Sequence, residues 1–378
     1  MKKYLVTFLA LSFLFAAVTS AAAITAYKTW NQTSTGMEDI NSHYPDASGF
    51  VFSPNYPLDH TVYAATYNGV FKSTDSGYTW VSSSTNLSNN HVNSLAISPN
   101  YANDHSLAAA TGGGVYLSTD YGASWSDISA SLPDTDDAVV VFHPNYTYPS
   151  FPDLFVGTSG SGVYRTTATS WNWQAMNAGM CEQRVLALAF TPDYATSSSG
   201  FLFAGVDGSG GGDCGGVYKV QKGSTTWTAL NTGLPTSISS RVVDALAISP
   251  AYASDHTVFA GISAGQGIYR STTGGSGWSF LSGTADFYIQ ALAISPYYPC
   301  DGILYAGEAS DGVYRSHDRG ATWAQINTGF DTGKSVMALA FGPGKAGPTL
   351  DLFAGVFSDA VWQYADPHAC LYLPFLKK

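Results

Sequence analysis

The sequence predicts an all-β protein, a single seven-bladed β-propeller of four-stranded blades, on the strength of three observations. Only 11% of residues are charged and 14% are aromatic, while Gly, Ser, Thr, Tyr and Val are abundant, as is typical of β-proteins. A unit of about 45 residues recurs seven times, and such units must stack to bury their apolar faces. Each unit also resolves into four strand-like runs separated by turn residues, which is the pattern of a propeller blade.

The second unit defines the four strands, named A to D. Strand A is predicted over residues 92–98, B over 106–111 and C over 114–118, and D starts at Ser124. Strand A places large apolar residues on both sides of a small one, here Leu95, Ala96 and Ile97, and the other units repeat this order. Successive strand residues face opposite sides of a sheet. Each blade therefore has a large and a small face, and we expect large faces to pack on small ones around an axis.

The ends of the chain predict how the ring closes. Trp30 precedes any A, B or C strand, and the seventh unit, residues 336–364, has those three strands but no Trp-bearing D strand. Trp30 is followed by Gly36, at the spacing that joins Trp323 to Gly329. The strand around Trp30 is therefore predicted to complete blade seven and to remove an open sheet edge.

The sequence is predicted to divide into three segments. Residues 1–23 have the basic start, apolar stretch and Ala-rich end of an export signal, residues 24–370 form the propeller, and residues 371–378 are an apolar then basic tail. The apolar stretch is too short to favour a membrane span. We expect a monomer that is secreted, periplasmic or on the surface of a bacterium. The tail is expected to pair as an extra edge strand or to act as a sorting signal.

Four cysteines in an exported chain predict two disulfides. In a ring of blades the A–B and C–D turns lie on one face, and the B–C turns and D–A connections lie on the other. Cys181 and Cys214 fall on one face, and Cys300 and Cys370 fall on the opposite face. The pairs Cys181–Cys214 and Cys300–Cys370 are predicted, because the other pairings would span too great a distance.

Strand C leads into a motif of the form Ser-x-Asp-x-Gly-x-Thr-Trp, in which Asp accepts turn N–H groups, Gly takes a positive φ and Trp packs into the blade. Its full copies contain Asp75, Gly77 and Trp80; Asp120, Gly122 and Trp125; and Asp318, Gly320 and Trp323. The motif resembles the Asp-box, or BNR, repeat of a β-propeller family that includes sialidases, xyloglucan-cleaving glycosidases, sortilin-type receptors and photosystem II assembly factors. The resemblance covers essentially the whole mature chain. It implies that the box is a folding element, and we assign it no catalytic residue.

The enzyme alternatives lack their usual residues. A sialidase clamps a carboxylate with three arginines, but Arg165, Arg270 and Arg315 occupy equivalent places on strand C, far from the axis. Xyloglucan-cleaving enzymes resemble two propellers around a cleft, and this chain has room for one. The remaining enzyme hypothesis is a glycoside hydrolase that uses carboxylates on the B–C/D–A face, such as Asp207 with Glu308 or Asp137.

No metal or other cofactor is predicted. The pairs Asp59-His60, Asp104-His105 and Asp255-His256 recur at the A–B turns of separate blades and cannot gather around one ion. Residues 207–213 offer oxygen ligands at alternate positions but lack the bidentate Glu of a calcium loop. Both patterns are interpreted as turns.

The residues that enter strand A vary from blade to blade and are largely polar, directly before columns that stay apolar. Propellers often bind ligands at the mouth of the channel, so we expect a protein or glycan ligand on the B–C/D–A face. With 27 acidic and 16 basic residues and a net charge of −11, nucleic acid is not an expected partner. The predicted ligand-binding residues are His91, Asp136, Arg184, Asp244, Tyr288, Gln290 and Glu308.

Overall fold

The computed structural model describes residues 29–38, 44–150, 153–166, 170–180, 184–208, 214–237, 241–263, 265–330, 333–342 and 349–367. The predicted signal segment, Cys181, Cys370 and the C-terminal tail lie outside these residues, so the predictions made for them stay predictions. Within the described part, no helix is long and apolar enough to cross a membrane.

Seven four-stranded antiparallel sheets form the molecule and confirm the predicted seven-bladed propeller. Blades one to four consist of β2 (Ala47–Phe52), β3 (Val62–Thr66), β4 (Gly69–Ser73) and β5 (Val81–Ser82); β6 (Val92–Ile97), β7 (Leu107–Thr111), β8 (Gly114–Ser118) and β9 (Ser126–Asp127); β10 (Asp137–Phe142), β11 (Leu154–Thr158), β12 (Val163–Thr166) and β13 (Trp173–Ala175); and β14 (Val185–Phe190), β15 (Phe201–Val206), β16 (Gly216–Gln221) and β17 (Thr228–Ala229). Blades five to seven consist of β18 (Val243–Ile248), β19 (Val258–Ile262), β20 (Gly267–Ser271) and β21 (Ser279–Phe280); β22 (Ile289–Ile294), β23 (Leu304–Glu308), β24 (Gly312–Ser316) and β25 (Ala324–Gln325); and β26 (Val336–Gly342), β27 (Thr349–Val356), β28 (Ala360–Pro367) and β1 (Asn31–Gln32).

Among the described residues, four A–B connections contain one-turn helices that the sequence analysis did not predict. They are α1 (Tyr56–Asp59), α2 (Tyr101–Asp104), α3 (Tyr252–Asp255) and α4 (Tyr298–Asp301), and a 3₁₀ turn covers Ser282–Thr284. In α1 the Asp59 carboxylate accepts the Ser53 hydroxyl at 2.5 Å and the Thr61 N–H at 2.9 Å. His60 follows in the left-handed region, with φ 53°. The Asp-His pairs thus close local turns in separate blades.

The blades stack large face on small face, as the apolar columns predicted. Ala96 of blade two packs in one cluster with Val140 and Phe142 of blade three. Ala247 of blade five packs in the same way with Leu292 of blade six. An alanine column leaves room for the neighbouring blade's large side chains, so this alternation carries the stacking around the ring.

The N-terminal strand completes blade seven and confirms the predicted closure. Its two residues pair with β28, Asn31 opposite Gln363 and Gln32 opposite Trp362. Trp30 is 2% exposed and stacks on Phe330 with ring centroids 4.7 Å apart. The sheet edge of β28 is therefore covered by the beginning of the chain.

Gly329 shows how tightly this closure packs. It has a φ of 101°, which favours glycine, and a Cβ there would lie 2.3 Å from the backbone oxygen of Trp30. Glycine is therefore required at this approach. Gly36 makes the equivalent approach to Trp80 in the next blade, so the Trp-to-Gly spacing noticed in the sequence has a packing reason.

Tryptophans join the outer strands of neighbouring blades. In six of them the indole N–H donates, over 2.5–2.7 Å, to a backbone oxygen of the preceding blade: Trp30 to Ile326, Trp80 to Thr33, Trp125 to Ser83, Trp173 to Ile128, Trp227 to Met176 and Trp278 to Leu230. Trp323 differs and donates to Gly320 of its own turn at 3.1 Å. Its expected acceptor, the Leu281 oxygen, instead accepts the N–H and the hydroxyl of Thr284 in the 3₁₀ turn.

The Ser-x-Asp-x-Gly-x-Thr-Trp turns have one shared geometry. The Asp75 carboxylate accepts the Thr79 N–H at 2.9 Å, the Thr79 hydroxyl at 2.6 Å and the Ser73 hydroxyl at 2.7 Å. Asp120 and Asp318 repeat these bonds. Each carboxylate is thus engaged in its own turn, at the C–D end of the blade.

Candidate functional site

Each innermost strand contains a β-bulge near its first residue. The register of the A–B pair shifts by one residue in all seven blades, which leaves a single residue unpaired. A bulge re-aims the side chain that it carries, and here the seven bulges lie at equivalent places around the axis. The bulged residues are Ser48, Asn93, Ala138, Leu186, Asp244, Gln290 and Met337.

A cavity of about 490 Å³ occupies the channel mouth on the B–C/D–A face. Six bulged residues line it, together with residues from the turns around them: Ser48, Asn93, Leu186, Asp244, Gln290 and Met337, with Tyr67, His91, Asp136, Ser159 and Arg184. A second space of about 330 Å³ continues along the channel and is lined mainly by alanine and leucine side chains of the A strands. The cavity at the mouth is therefore lined mainly by polar residues, and the channel behind it is lined mainly by apolar ones.

Five of the seven predicted ligand-binding residues line this cavity, namely His91, Asp136, Arg184, Asp244 and Gln290. His91, Asp136 and Arg184 occupy equivalent positions, two residues before the bulge of their blades, and this equivalence has a structural basis. In every blade the backbone oxygen at this position accepts the N–H of the residue after strand B, as in the 3.1 Å bond from Tyr67 to Asp46 and the 3.0 Å bond from Ser159 to Asp136.

That bond also explains two of the six lining residues that lie outside the predicted set, Tyr67 and Ser159; the other four are bulged residues of strand A. Tyr67 and Ser159 come from B–C turns, whereas the predicted set drew mainly on the residues that enter strand A. Their position directly after strand B could have revealed them, because it places them opposite the residues that enter strand A. Tyr67 lies beside His91 of the next blade, with ring centroids 3.8 Å apart and planes inclined by 56°. The two rings form an aromatic shelf at one side of the mouth.

Glu308 and Tyr288 do not line the cavity, in contrast to the predicted placement. Glu308 is 3% exposed, and its carboxylate accepts the N–H groups of Tyr288 at 3.0 Å and of Ser310 and Asp311 at 2.6 Å each. It therefore caps the B–C turn of blade six. Tyr288 is 50% exposed and lies against Gly265 of the neighbouring turn. A carboxylate that folds back onto its own turn cannot be distinguished by sequence from one that faces the channel.

Asp244 has an altered acidity. Burial raises its pKa to about 6, and the nearby Asp207 carboxylate also raises it, whereas the Ser263 hydrogen bond and the Arg184 charge act in the opposite direction. Burial and Asp46 raise the pKa of Tyr67, while Arg184 lowers it. Arg184 of blade four therefore lines one cavity with Tyr67 of blade one and Asp244 of blade five, and its charge acts on both.

The other candidate sites are used by the scaffold. Arg165 forms an ion pair with the buried Asp153 and lies over Phe155, and Arg270 donates to the Arg319 backbone oxygen at 3.1 Å. Of the carboxylate pairs considered, the Glu308 carboxylate is engaged by its turn, while the side chain of Asp137 lies outside the described residues. No group of three or more His, Cys, Asp or Glu residues in the described part of the chain could hold a metal ion.

Neither described cysteine, Cys214 or Cys300, is a free thiol. Their predicted partners lie outside the described residues. The pairs Cys181–Cys214 and Cys300–Cys370 therefore stay predictions.

Comparisons with known proteins give structural matches alone. No model of a known protein family and no curated protein matches this chain. Among solved structures, YCF48 bound to a D1 peptide has a TM-score of 0.63 at 18% identity, over 90% of this chain and 98% of that one. What is shared is the β-propeller fold.

Two further structures match over 89% of this chain. The extracellular domain of BT4673 from B. thetaiotaomicron is 13% identical with a TM-score of 0.61, and 40% of it is covered. A GH74 xyloglucanase from Xanthomonas campestris is 17% identical with a TM-score of 0.63, and 53% of it is covered. This chain thus spans about half or less of these two proteins. Because propellers host unrelated activities, these matches show the fold, and membership of the Asp-box family stays a prediction.

Proposed function

We propose that this chain is an exported, non-catalytic β-propeller that binds a protein or glycan ligand at the channel mouth. The observation that carries this proposal is the ring of bulges. Seven positions share one backbone geometry but differ in side chain, and six of them line one cavity. The apolar columns beside them keep their character, so the repeat varies where a ligand would touch it.

Two of the structural matches support a binding role without assigning a ligand. YCF48 is described with a bound D1 peptide, over a chain of nearly the same extent. The BT4673 structure is the extracellular domain of a one component system. Propellers of this architecture therefore serve in binding as well as in catalysis, and the polar cavity here is consistent with the former.

Binding is tested by screening the purified mature protein against glycan and peptide arrays and measuring each hit by calorimetry. We expect Gln290→Ala and Asn93→Ala to weaken a hit several-fold, since each removes a polar group that faces the cavity. Gln174→Ala is the matched control, because Gln174 is exposed on an outer strand. Hits that are unaffected by both cavity variants would contradict a site at the mouth.

A glycoside hydrolase is the second candidate, and Asp244 favours it. A glycosidase needs one carboxyl that stays protonated near neutral pH, and the pKa of Asp244 is raised to about 6 by burial. The protein should be incubated with sialosides and β-glucans and the products quantified. Turnover that Asp244→Asn abolishes would replace the binding proposal with the enzyme.

A further inference from the structure

Carboxylates outnumber cations at the channel mouth. Asp136 and Asp244 line the cavity. Asp207 acts electrostatically on Asp244, and Asp46 acts on the lining residue Tyr67. Against these four carboxylates, Arg184 supplies the one guanidinium among the lining residues.

Two cations beside the strand-A entries, Lys334 and Arg241, are not among the residues that line the cavity. Lys334 pairs with Asp359 at 2.5 Å. Arg241 is 6% exposed. The mouth thus keeps an excess of negative charge within a molecule whose net charge is −11. A field of one sign in a cleft with low-dielectric walls attracts ligands of the opposite charge.

Asp244 lies at the boundary between the polar mouth and the apolar channel. It lines both spaces, as do Ser48 and Leu186. Beyond it the channel is lined by Leu188, Leu246 and equivalent residues. A ligand that reaches Asp244 therefore needs a charged group for the carboxylate and an aliphatic stem for the surfaces around it.

The aromatic shelf fits the same kind of ligand. Tyr67 and His91 present ring surface at the rim, and aromatic faces attract an ammonium or guanidinium group as it loses water. An anionic ligand would meet the carboxylates of Asp136 and Asp244, which the single lining guanidinium of Arg184 only partly offsets, and like charges in close contact are unfavourable. A neutral ligand could be bound by the amide side chains of Asn93 and Gln290 alone, so it would not account for the excess of carboxylates at the mouth.

We propose that the channel mouth receives a lysine or arginine side chain of a partner polypeptide, with the cationic group at Asp244 and Asp136 and the aliphatic stem against Leu186 and Met337. This rests on the proposed function, because it names the ligand class of the same site. Free polyamines share the chemistry of lysine, so the test separates the two sources.

The test measures binding of pentapeptides with a central Lys, Arg, Nε-acetyl-Lys or Glu, and of spermidine, by calorimetry at pH 7.5. We expect the Lys and Arg peptides to bind and acetylation to weaken binding about tenfold or more, as charge-assisted bonds are lost. Asp244→Asn and Asp136→Asn should each weaken the Lys peptide, and Arg184→Gln should strengthen it. Asp286→Asn is the matched control, because Asp286 is exposed in the D–A connection before blade six.

Each possible result contradicts or supports a specific part of the proposal. A Glu peptide that binds more tightly than the Lys peptide, or Lys binding that Asp244→Asn and Asp286→Asn reduce equally, overturns the ligand class. Spermidine binding with no peptide binding overturns the polypeptide source. If neutral glycans bind and Gln290→Ala weakens them, the ligand class is wrong while the proposed function stands; if nothing binds at the mouth, both are wrong. Thermal unfolding of each variant verifies that it is folded.

Discussion

Asp244 combines a bulged backbone, partial burial and two charged neighbours, and its acidity affects stability as well as binding. Its pKa of about 6 in the folded protein exceeds the usual value near 4 in an unfolded chain. The folded state therefore holds a proton between about pH 4 and 6 that the unfolded state has released. By linkage, this residue makes stability fall as the pH rises through that window.

Asp244→Asn should remove this loss of stability between about pH 4 and 6, because asparagine does not titrate. We expect the variant to be more stable than the natural protein at pH 7 by about 1–2 kcal/mol, with solvent screening of a partly exposed group taken into account. The difference should disappear near pH 4. Urea unfolding at pH 4, 5, 6 and 7 measures it, and Asp286→Asn serves as the control. A constant difference across this range would mean that burial of charge is not the cause.

The Asp-box carboxylates have the opposite pH dependence. Burial would raise the pKa of Asp318, but hydrogen bonds from Thr322 and Ser316 outweigh it and lower the pKa to about 2. A folded pKa below the unfolded value gives stability that is present above about pH 4 and is lost as the pH falls towards 2. These residues therefore contribute to acid sensitivity of the fold and not to the channel mouth.

Asp75→Ala should lower the free energy of unfolding by about 1–2 kcal/mol, because three hydrogen bonds in its turn are lost. Ligand affinity should not change, since the turn is at the other end of the blade from the cavity. The matched comparison is Thr273→Ala in residues 271–278, a weakened copy of the motif in which Thr273 replaces the Asp and its hydroxyl accepts one backbone N–H, from Gly277. Equal destabilisation by the two variants would contradict the role given to the carboxylate.

At the scale of elements, the tryptophan bonds between outer strands distinguish one blade junction from the rest. Trp30 bonds to the preceding blade and is 2% exposed, whereas Trp323 is partly exposed and bonds to its own turn. The cause is the 3₁₀ turn after β21. In this turn Thr284 donates to the Leu281 oxygen, which is the acceptor expected for the Trp323 indole. The junction of blades five and six thus lacks a connection that the closure has.

Trp30→Ala should destabilise the protein by about 3–5 kcal/mol, as expected for loss of a fully buried aromatic side chain. Trp323→Ala should cost clearly less, because its ring is partly exposed and its indole N–H satisfies only Gly320. Both are measured as shifts in the chemical unfolding midpoint. A larger effect at Trp323 would show that the indole bonds do not set the strength of these junctions.

For the whole molecule, closure by the N-terminal strand makes the fold dependent on both ends of the chain. Removal of residues 24–38 deletes β1 and exposes β28, whose unpaired backbone groups can then pair with another molecule. We expect a lower unfolding midpoint and concentration-dependent self-association in sedimentation velocity. A chain that lacks residues 371–378 is the control and should stay monomeric. A truncated chain that remains monomeric and equally stable would contradict the importance of the closure.

The extent of sequence-based prediction differed between fold and site. Blade number, strand order and closure followed from repetition, because an element repeated seven times averages out local ambiguity. The one-turn helices were missed, since four residues such as Tyr56–Asp59 are too few to show a helical period. Glu308 was misplaced because its carboxylate could face the channel or its own turn, and only the path of the backbone decides between the two.

The sequence alone determined the seven blades, the large and small faces and the closure by the strand around Trp30, because these depend on the order of apolar and turn residues along the chain. Tertiary structure decided which polar side chains meet. The bulges turn residues such as Asp244 into one cavity, where Arg184 and Tyr67 from two other blades also meet. Contacts between residues that are distant in sequence depend on backbone direction around the ring, which a linear pattern does not contain.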